Sequence, residues 1–119
     1  MTPNSSIEIS DQVRQIISLP DLDILIDALK EVIDPELGLN IVDLGLVYSI
    51  VKQEDIIVIQ ISLTTPGCPV SETLPIEAER VAQKALAHLK TRLEVQVVWD
   101  PPWSIDRISP QAIKLLGAG

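Results

Sequence analysis

The sequence predicts a single small α/β domain of the α+β kind, with element order α-β-β-α-β-α and a three-stranded mixed sheet that carries its helices. Three observations predict it. The 119 residues are 46% hydrophobic and 22% charged, enough apolar material for one core and far from the composition of disordered chains. Leu22, Leu25, Ile26, Leu29, Val32 and Ile33 recur at helical spacing. Two β-branched runs, Leu44 to Val51 and Ile56 to Leu63, then stand either side of a short polar stretch, the pattern of a hairpin.

Residues 1–20 read as a weakly ordered N-terminal extension, polar at first and then carrying a faint helical stripe of Val13, Ile16 and Ile17 that stops at Pro20. Residues 21–119 form the domain proper. Its first helix starts with Asp21 as N-cap and ends at Asp34-Pro35, because a residue before proline is driven out of the helical region. The hairpin follows, turning through Lys52-Gln53-Glu54-Asp55. In its second strand Ile57, Ile59, Ile61 and Leu63 alternate with less apolar neighbours and define a core face. A long helix over roughly Ser71 to Leu89 buries Leu74, Ala78, Val81, Ala82, Ala85, Leu86 and Leu89, with Pro75 confining the helix start to its immediate neighbourhood. Leu93 to Trp99 is a third strand. Ser109 and Pro110 then cap a short last helix that stops at Gly117.

This order has a functional consequence. The hairpin strands run antiparallel, and a helical crossover makes the third strand parallel to the second. Three loops then meet at one end of the sheet: Asp34 to Asp43, Thr64 to Pro69, and Trp99 to Trp103. Such loop-lined ends are where α/β sheets usually hold ligands.

Composition removes several function classes. Nine Lys and Arg against 17 Asp and Glu give a formal charge of −8, the wrong sign for nucleic acid or an anionic membrane. No apolar run approaches the ~20 residues of a membrane span, and Met1 to Ser6 does not resemble a signal peptide, so a cytoplasmic location is expected. The single cysteine, Cys68, excludes an internal disulfide and any all-cysteine metal site within one chain. No phosphate-binding glycine motif occurs.

Cys68 lies between Gly67 and Pro69, just ahead of the long helix, where the positive dipole end favours a thiolate nucleophile or metal ligand. The competing reading is a small buried hydrophobe. Asp34, Glu36 and Asp43 offer carboxylates to a hard metal or a partner, or else form a helix-stop turn and a strand-start turn. Trp99 and Trp103 bracket Asp100-Pro101-Pro102 and either wall a pocket or close the core. His88, about 30 Å of helical rise from Cys68, does not pair with it as a dyad.

Four motifs in order, Asp34-Pro35-Glu36-Leu37, Ile41 to Tyr48, Thr64-Thr65-Pro66-Gly67-Cys68-Pro69 and Trp99-Asp100-Pro101-Pro102-Trp103, resemble the signatures of the metal-sulfur cluster biosynthesis family. That family includes SufT-type assembly factors, PaaD-type proteins and the targeting subunit of eukaryotic cytosolic iron-sulfur assembly. The resemblance implies an iron-sulfur cluster assembly-type domain and a role in maturing iron-sulfur proteins. It makes Cys68 the motif cysteine, with Asp43, Thr64 and Thr65 its polar neighbours. These residues hold neither the extra C-terminal cysteines of PaaD-type members nor the nucleotide-binding module of the related ATPases.

A cluster takes four thiolate or imidazole ligands, and this chain offers one cysteine. The expectation is a non-catalytic adaptor or transient carrier. Cys68 would contact a cluster, iron or client thiol, and the other ligands would come from a second protomer, a small thiol or a partner. Its partners would be the assembly machinery and client apoproteins, with a homodimer as one arrangement. Two alternatives stand beside it: a thiol-transfer enzyme with Asp43 as the nearby base, and an interaction module in which Cys68 is incidental.

Overall fold

The structure, a computed structural model, describes residues 7–64 and 73–115. Its elements are β1 (Glu8–Ile9), α1 (Asp11–Ile16), α2 (Leu19–Leu29), β2 (Val47–Gln53), β3 (Ile56–Ile61), α3 (Thr73–Ala85), β4 (Arg92–Val97) and α4 (Pro110–Leu115), with a 3-10 turn at Ile105–Arg107. The sheet has four strands in the order β1-β2-β3-β4. β2 and β3 are antiparallel and β4 joins β3 in parallel, as expected from the hairpin and crossover.

The fourth strand corrects the three-stranded expectation and changes the start of the element order. Glu8–Ile9 pairs in parallel with Ser49 and Ile50 of β2, and α1 packs on β2. Residues 7–20, read from the sequence as an extension, supply Ile7, Val13 and Ile17 to the buried core. The stripe looked weak because only two of its three members, Val13 and Ile17, turn inward.

Pro20 begins a helix here rather than ending one. It occupies the first turn of α2, where a missing N-H costs nothing, and Ser18 is the N-cap, its side chain accepting from the Asp21 N-H at 3.2 Å. The regular helix stops at Leu29, earlier than expected, and tightens into turns in which Glu31 and Val32 donate to Ala28 and Leu29. Val32 stays buried, but Ile33 leaves the apolar face, is exposed and bridges Asn40.

The β3 alternation is as read. Ile57, Ile59, Ile61 and Leu63 are all buried and meet Leu22, Leu25 and Leu29 of α2 and Leu74, Ala78, Val81 and Ala82 of α3 in one core. The opposite face carries a polar row in which Ser49 donates to Gln60 Oε1 and Gln60 Nε2 donates to Gln96 Oε1. The hairpin turns through Glu54-Asp55 with Glu54 at φ 55°, so register is held by the buried face rather than by a glycine turn. An irregularity between Val47 and Ser49 sets two residues of β2 against one of β3, placing Tyr48 beside the same cavity as Ser49.

α3 covers the outer edge of β4. Glu79 Oε1 accepts from the Val95 N-H at 3.0 Å and Gln83 Nε2 donates to the Leu93 carbonyl at 2.9 Å, occupying groups that would otherwise invite another strand. Beyond Ala85 the chain continues in turns, where His88 Nε2 lies 3.0 Å from Asp21 Oδ1 and ties this end to the first turn of α2. α4 is capped as expected, with Ser109 Oγ accepting from the Ala112 N-H at 3.2 Å. The beginning of the long helix at Ser71 and the stop at Gly117 lie outside the described residues.

Candidate functional site

The loop between α2 and β2 is built from its own polar groups. Asp34 is fully buried; its Oδ1 accepts from the Glu36 and Leu37 N-H groups at 2.8 and 3.1 Å, and its carbonyl accepts from Gly38. This is the Asx turn open to an Asp-Pro sequence. The other oxygen accepts from Thr64 Oγ1 at 3.3 Å, joining this loop to the end of β3. A single helical turn follows. Asn40 Oδ1 accepts from the Asp43 N-H while Asn40 Nδ2 donates to Asp43 Oδ2, both at 2.8 Å, a reciprocal cap. Gly45 donates to Val42 and Leu46 to Ile41, which ends the turn in a Schellman arrangement with Gly45 at φ +75°.

The loop after β4 leans on that turn. Trp103 Nε1 donates to the Leu44 carbonyl at 2.6 Å, Arg107 Nε donates to the Gly45 carbonyl at 3.1 Å, and the Ser109 N-H donates to the Asp43 carbonyl at 2.7 Å. Tyr48 donates its hydroxyl to the Pro101 carbonyl at 2.8 Å, and the Arg107 guanidinium sits 4.0 Å from the centre of the Tyr48 ring, a cation-π contact. The Asp100-Pro101 bond is cis. A Cβ on Gly45 would lie 2.3 Å from the Arg107 carbonyl oxygen, so this approach requires glycine.

Two cavities lie either side of the Trp99 to Trp103 loop. One, of about 360 Å³, is apolar and lined by Leu63, Thr64, Trp99, Pro102 and Trp103. The other, of about 510 Å³, is polar, with Glu8, Tyr48, Ser49, Gln60, Asp100 and Arg107 among its walls.

The predicted meeting of loops is thus present for the described residues: Asp34 reaches Thr64, and Trp103 and Ser109 reach the Leu44 and Asp43 carbonyls. Trp99 is 47% exposed and walls the apolar cavity, whereas Trp103 both walls it and packs on the core. Asp100 faces the polar cavity, and Glu36 is exposed on the Asp34 turn. Thr65, Gly67, Cys68 and Pro69 lie outside the described residues. Among the described residues no three His, Cys, Asp or Glu side chains group as a metal site, and no helix is long and apolar enough to cross a membrane.

Sequence reasoning missed Asn40, Gly45, Tyr48 and Arg107 as builders of this end. Asn40, Asp43 and Gly45 carry a legible signal, a cap residue with its reciprocal partner three positions on and a glycine stop. Arg107 carries none, since its partners are 62 and 59 residues away.

The arrangement defines a class: a small α+β domain that presents loops and an aromatic-walled cavity at one end of its sheet. The chain belongs to the iron-sulfur cluster assembly protein family, whose model matches residues 23–97. It is 45% identical over 96 residues to the Fe-S protein maturation auxiliary factor YitW of Bacillus subtilis, covering 78% of this chain and 90% of the relative. It is 40% identical over 87 residues to the Fe-S protein maturation auxiliary factor SufT of Staphylococcus aureus, covering 72% and 97%. Among solved structures it resembles the domain of unknown function DUF59 from Bacillus anthracis, with TM-score 0.72, 38% identity and coverage of 84% and 94%. A conserved hypothetical protein of Thermotoga maritima superposes with TM-score 0.64 at 36% identity, covering 85% and 95%. The Asp34, Asp43 and Cys68 motifs fall inside the matched span; Trp99 to Trp103 lie just beyond it.

Proposed function

We propose that the protein is a non-catalytic, cytoplasmic auxiliary factor in iron-sulfur protein maturation. The cluster or iron is its cargo, and Cys68 is the transient contact to that cargo or to a client thiol. Family membership and relatives named as Fe-S protein maturation auxiliary factors support this reading. The observation that carries it is the position of the sole cysteine in the chain. Cys68 is four residues beyond Thr64, which is bonded to Asp34 at the loop-lined end, so connectivity alone keeps its Cα within about 15 Å of that of Thr64.

One thiolate does not complete a cluster, which takes four such ligands. The remainder come from a second protomer, a small thiol or the partner that receives the cargo. The carboxylates brought together here do structural work: Asp34 organises its turn and Asp43 holds Asn40. Neither is needed as a base in this reading, which separates it from a thiol-transfer enzyme.

In a strain lacking the wild-type copy, Cys68→Ser is expected to leave client iron-sulfur enzymes as inactive as having no copy at all. Full client activity would overturn the role of the cysteine. Anaerobic reconstitution with iron and sulfide, read by mass and absorption together, adds the chemical test: a spectrum unchanged in Cys68→Ala would exclude direct ligation.

A further inference from the structure

The two segments that build the loop-lined end, residues 34–46 and 99–107, contain five carboxylates, Asp34, Glu36, Asp43, Asp100 and Asp106, and one cation, Arg107. That cation is committed: its Nε binds the Gly45 carbonyl and its guanidinium covers Tyr48. Asp100 and Asp106 are exposed, and Glu8 adds a further acid to the polar cavity that Asp100 lines. The same segments expose apolar surface, with Ile105 at 60% and Trp99, which walls a 360 Å³ apolar cavity, at 47%. This volume is at the lower end of ligand pockets and suits a side chain rather than a folded surface.

We infer that the Trp99 to Trp103 loop is a docking site for an extended segment of a partner protein, one that presents an aliphatic or aromatic side chain flanked by Lys or Arg. The apolar side chain enters the cavity walled by Trp99, Pro102 and Trp103, and the flanking cations lie against Asp100, Asp106 and the Glu8 side of the loop. Charge complementarity decides the occupant. A second copy of this chain, at −8, would bring like charge to a loop that exposes Asp100 and Asp106, whereas a basic segment is drawn to it. The inference rests on the maturation-factor reading, since it describes how a client or assembly partner would be recognised at the end of the sheet that carries Thr64.

The chain has only two tryptophans, and both wall the cavity, so tryptophan emission, excited selectively over Tyr48, reports on this site. The probes are three amidated, tryptophan-free heptapeptides: Gly-Lys-Lys-Leu-Lys-Lys-Gly, the same peptide with Glu in place of Lys, and the same with Ala in place of Leu. The Lys-Leu peptide is expected to saturate the signal with a Kd roughly tenfold below those of the other two, the loss of an apolar contact or of charge pairing being worth about that factor. Its advantage over the Glu peptide is expected to shrink in 0.5 M salt and in the Asp100→Asn, Asp106→Asn double variant. Equal binding of all three peptides, or no saturation by the Lys-Leu peptide, would overturn the inference. So would a sedimentation mass that doubles with concentration while the tryptophans stop responding to peptide, because a second copy would then fill the cavity.

The same titration on Cys68→Ser separates the two readings. If peptide selectivity persists while this variant fails its clients, both stand. Selectivity absent with clients still failing removes only the docking site, and selectivity present with clients fully active removes only the role of the cysteine.

Discussion

The loop before β2 and the loop after β4 meet at the same end of the sheet and are held in opposite ways. Residues 34–46 satisfy themselves: the Asp34 carboxylate binds two N-H groups of its own loop, Asn40 and Asp43 cap one another, and Gly45 ends the turn. Residues 99–107 are held mainly by borrowing, through Trp103 on Leu44, Arg107 on Gly45 and Pro101 on Tyr48. A loop whose polar groups are spent on itself has little left to offer a ligand, and it makes a rigid base. A loop fixed by its far side leaves the near side, here Trp99, available to something else. The first loop is therefore scaffold and the second is display, and substitutions in the two should fail differently.

The largest effect is expected at the base. Gly45→Ala must put a Cβ 2.3 Å from the Arg107 carbonyl oxygen in a backbone at φ +75°, whereas Gly38 has a similar φ of +71° and nothing within 4 Å of its built Cβ. Urea denaturation should show a loss of about 3 kcal/mol or more for Gly45→Ala and about 1 kcal/mol for Gly38→Ala. Equal losses would mean that backbone conformation alone, and not the junction between the loops, makes Gly45 necessary.

Asp34→Ala comes next. It removes a buried carboxylate, leaves two part-buried N-H groups without their acceptor and cuts the link to Thr64, and a loss of about 2 to 3 kcal/mol in the same assay is expected. A loss below 0.5 kcal/mol, against that ~2 to 3 kcal/mol scale, would show that the turn forms without its carboxylate.

The smallest effect on stability belongs to the display loop. Trp99→Ala removes a half-exposed side chain that makes no polar contact with the described residues, so its unfolding midpoint should move by no more than about 0.5 kcal/mol in free energy. Binding of the Lys-Leu peptide, followed through the Trp103 signal, should nonetheless fall roughly tenfold. Large destabilisation together with intact binding would reverse the roles assigned to the two loops.

Much of this end was legible from local chemistry. The β3 alternation, the Ser109-Pro110 cap and the apolar stripe of α3 each depend on residues within a few positions of one another, and each is found where the spacing puts it. The Asp34-Pro35-Glu36 turn was equally readable as a helix stop. What misled was local ambiguity. Pro20 is compatible with ending one helix or opening another, and the choice fell to Ser18 as cap and to the docking of Val13 and Ile17 in the core. A two-residue strand such as β1 has no periodicity to detect, and only pairing with Ser49 and Ile50 makes it one.

By itself, then, the sequence determined the hairpin, the strand that joins it in parallel and the convergence of the described loops at one end. These follow from periodicity, capping and connectivity, which act over a few residues or through the order of elements. Tertiary structure decided which groups of their loop Asp34 and Asp43 hold, that Gly45 must be glycine, and that Trp99 faces outward while Trp103 is tied to Leu44. Those outcomes depend on partners such as Arg107, 62 residues from Gly45, and no local preference specifies a hydrogen bond across that distance. Packing brought the partners together, and their spent hydrogen bonds set which side chains remain for a partner protein.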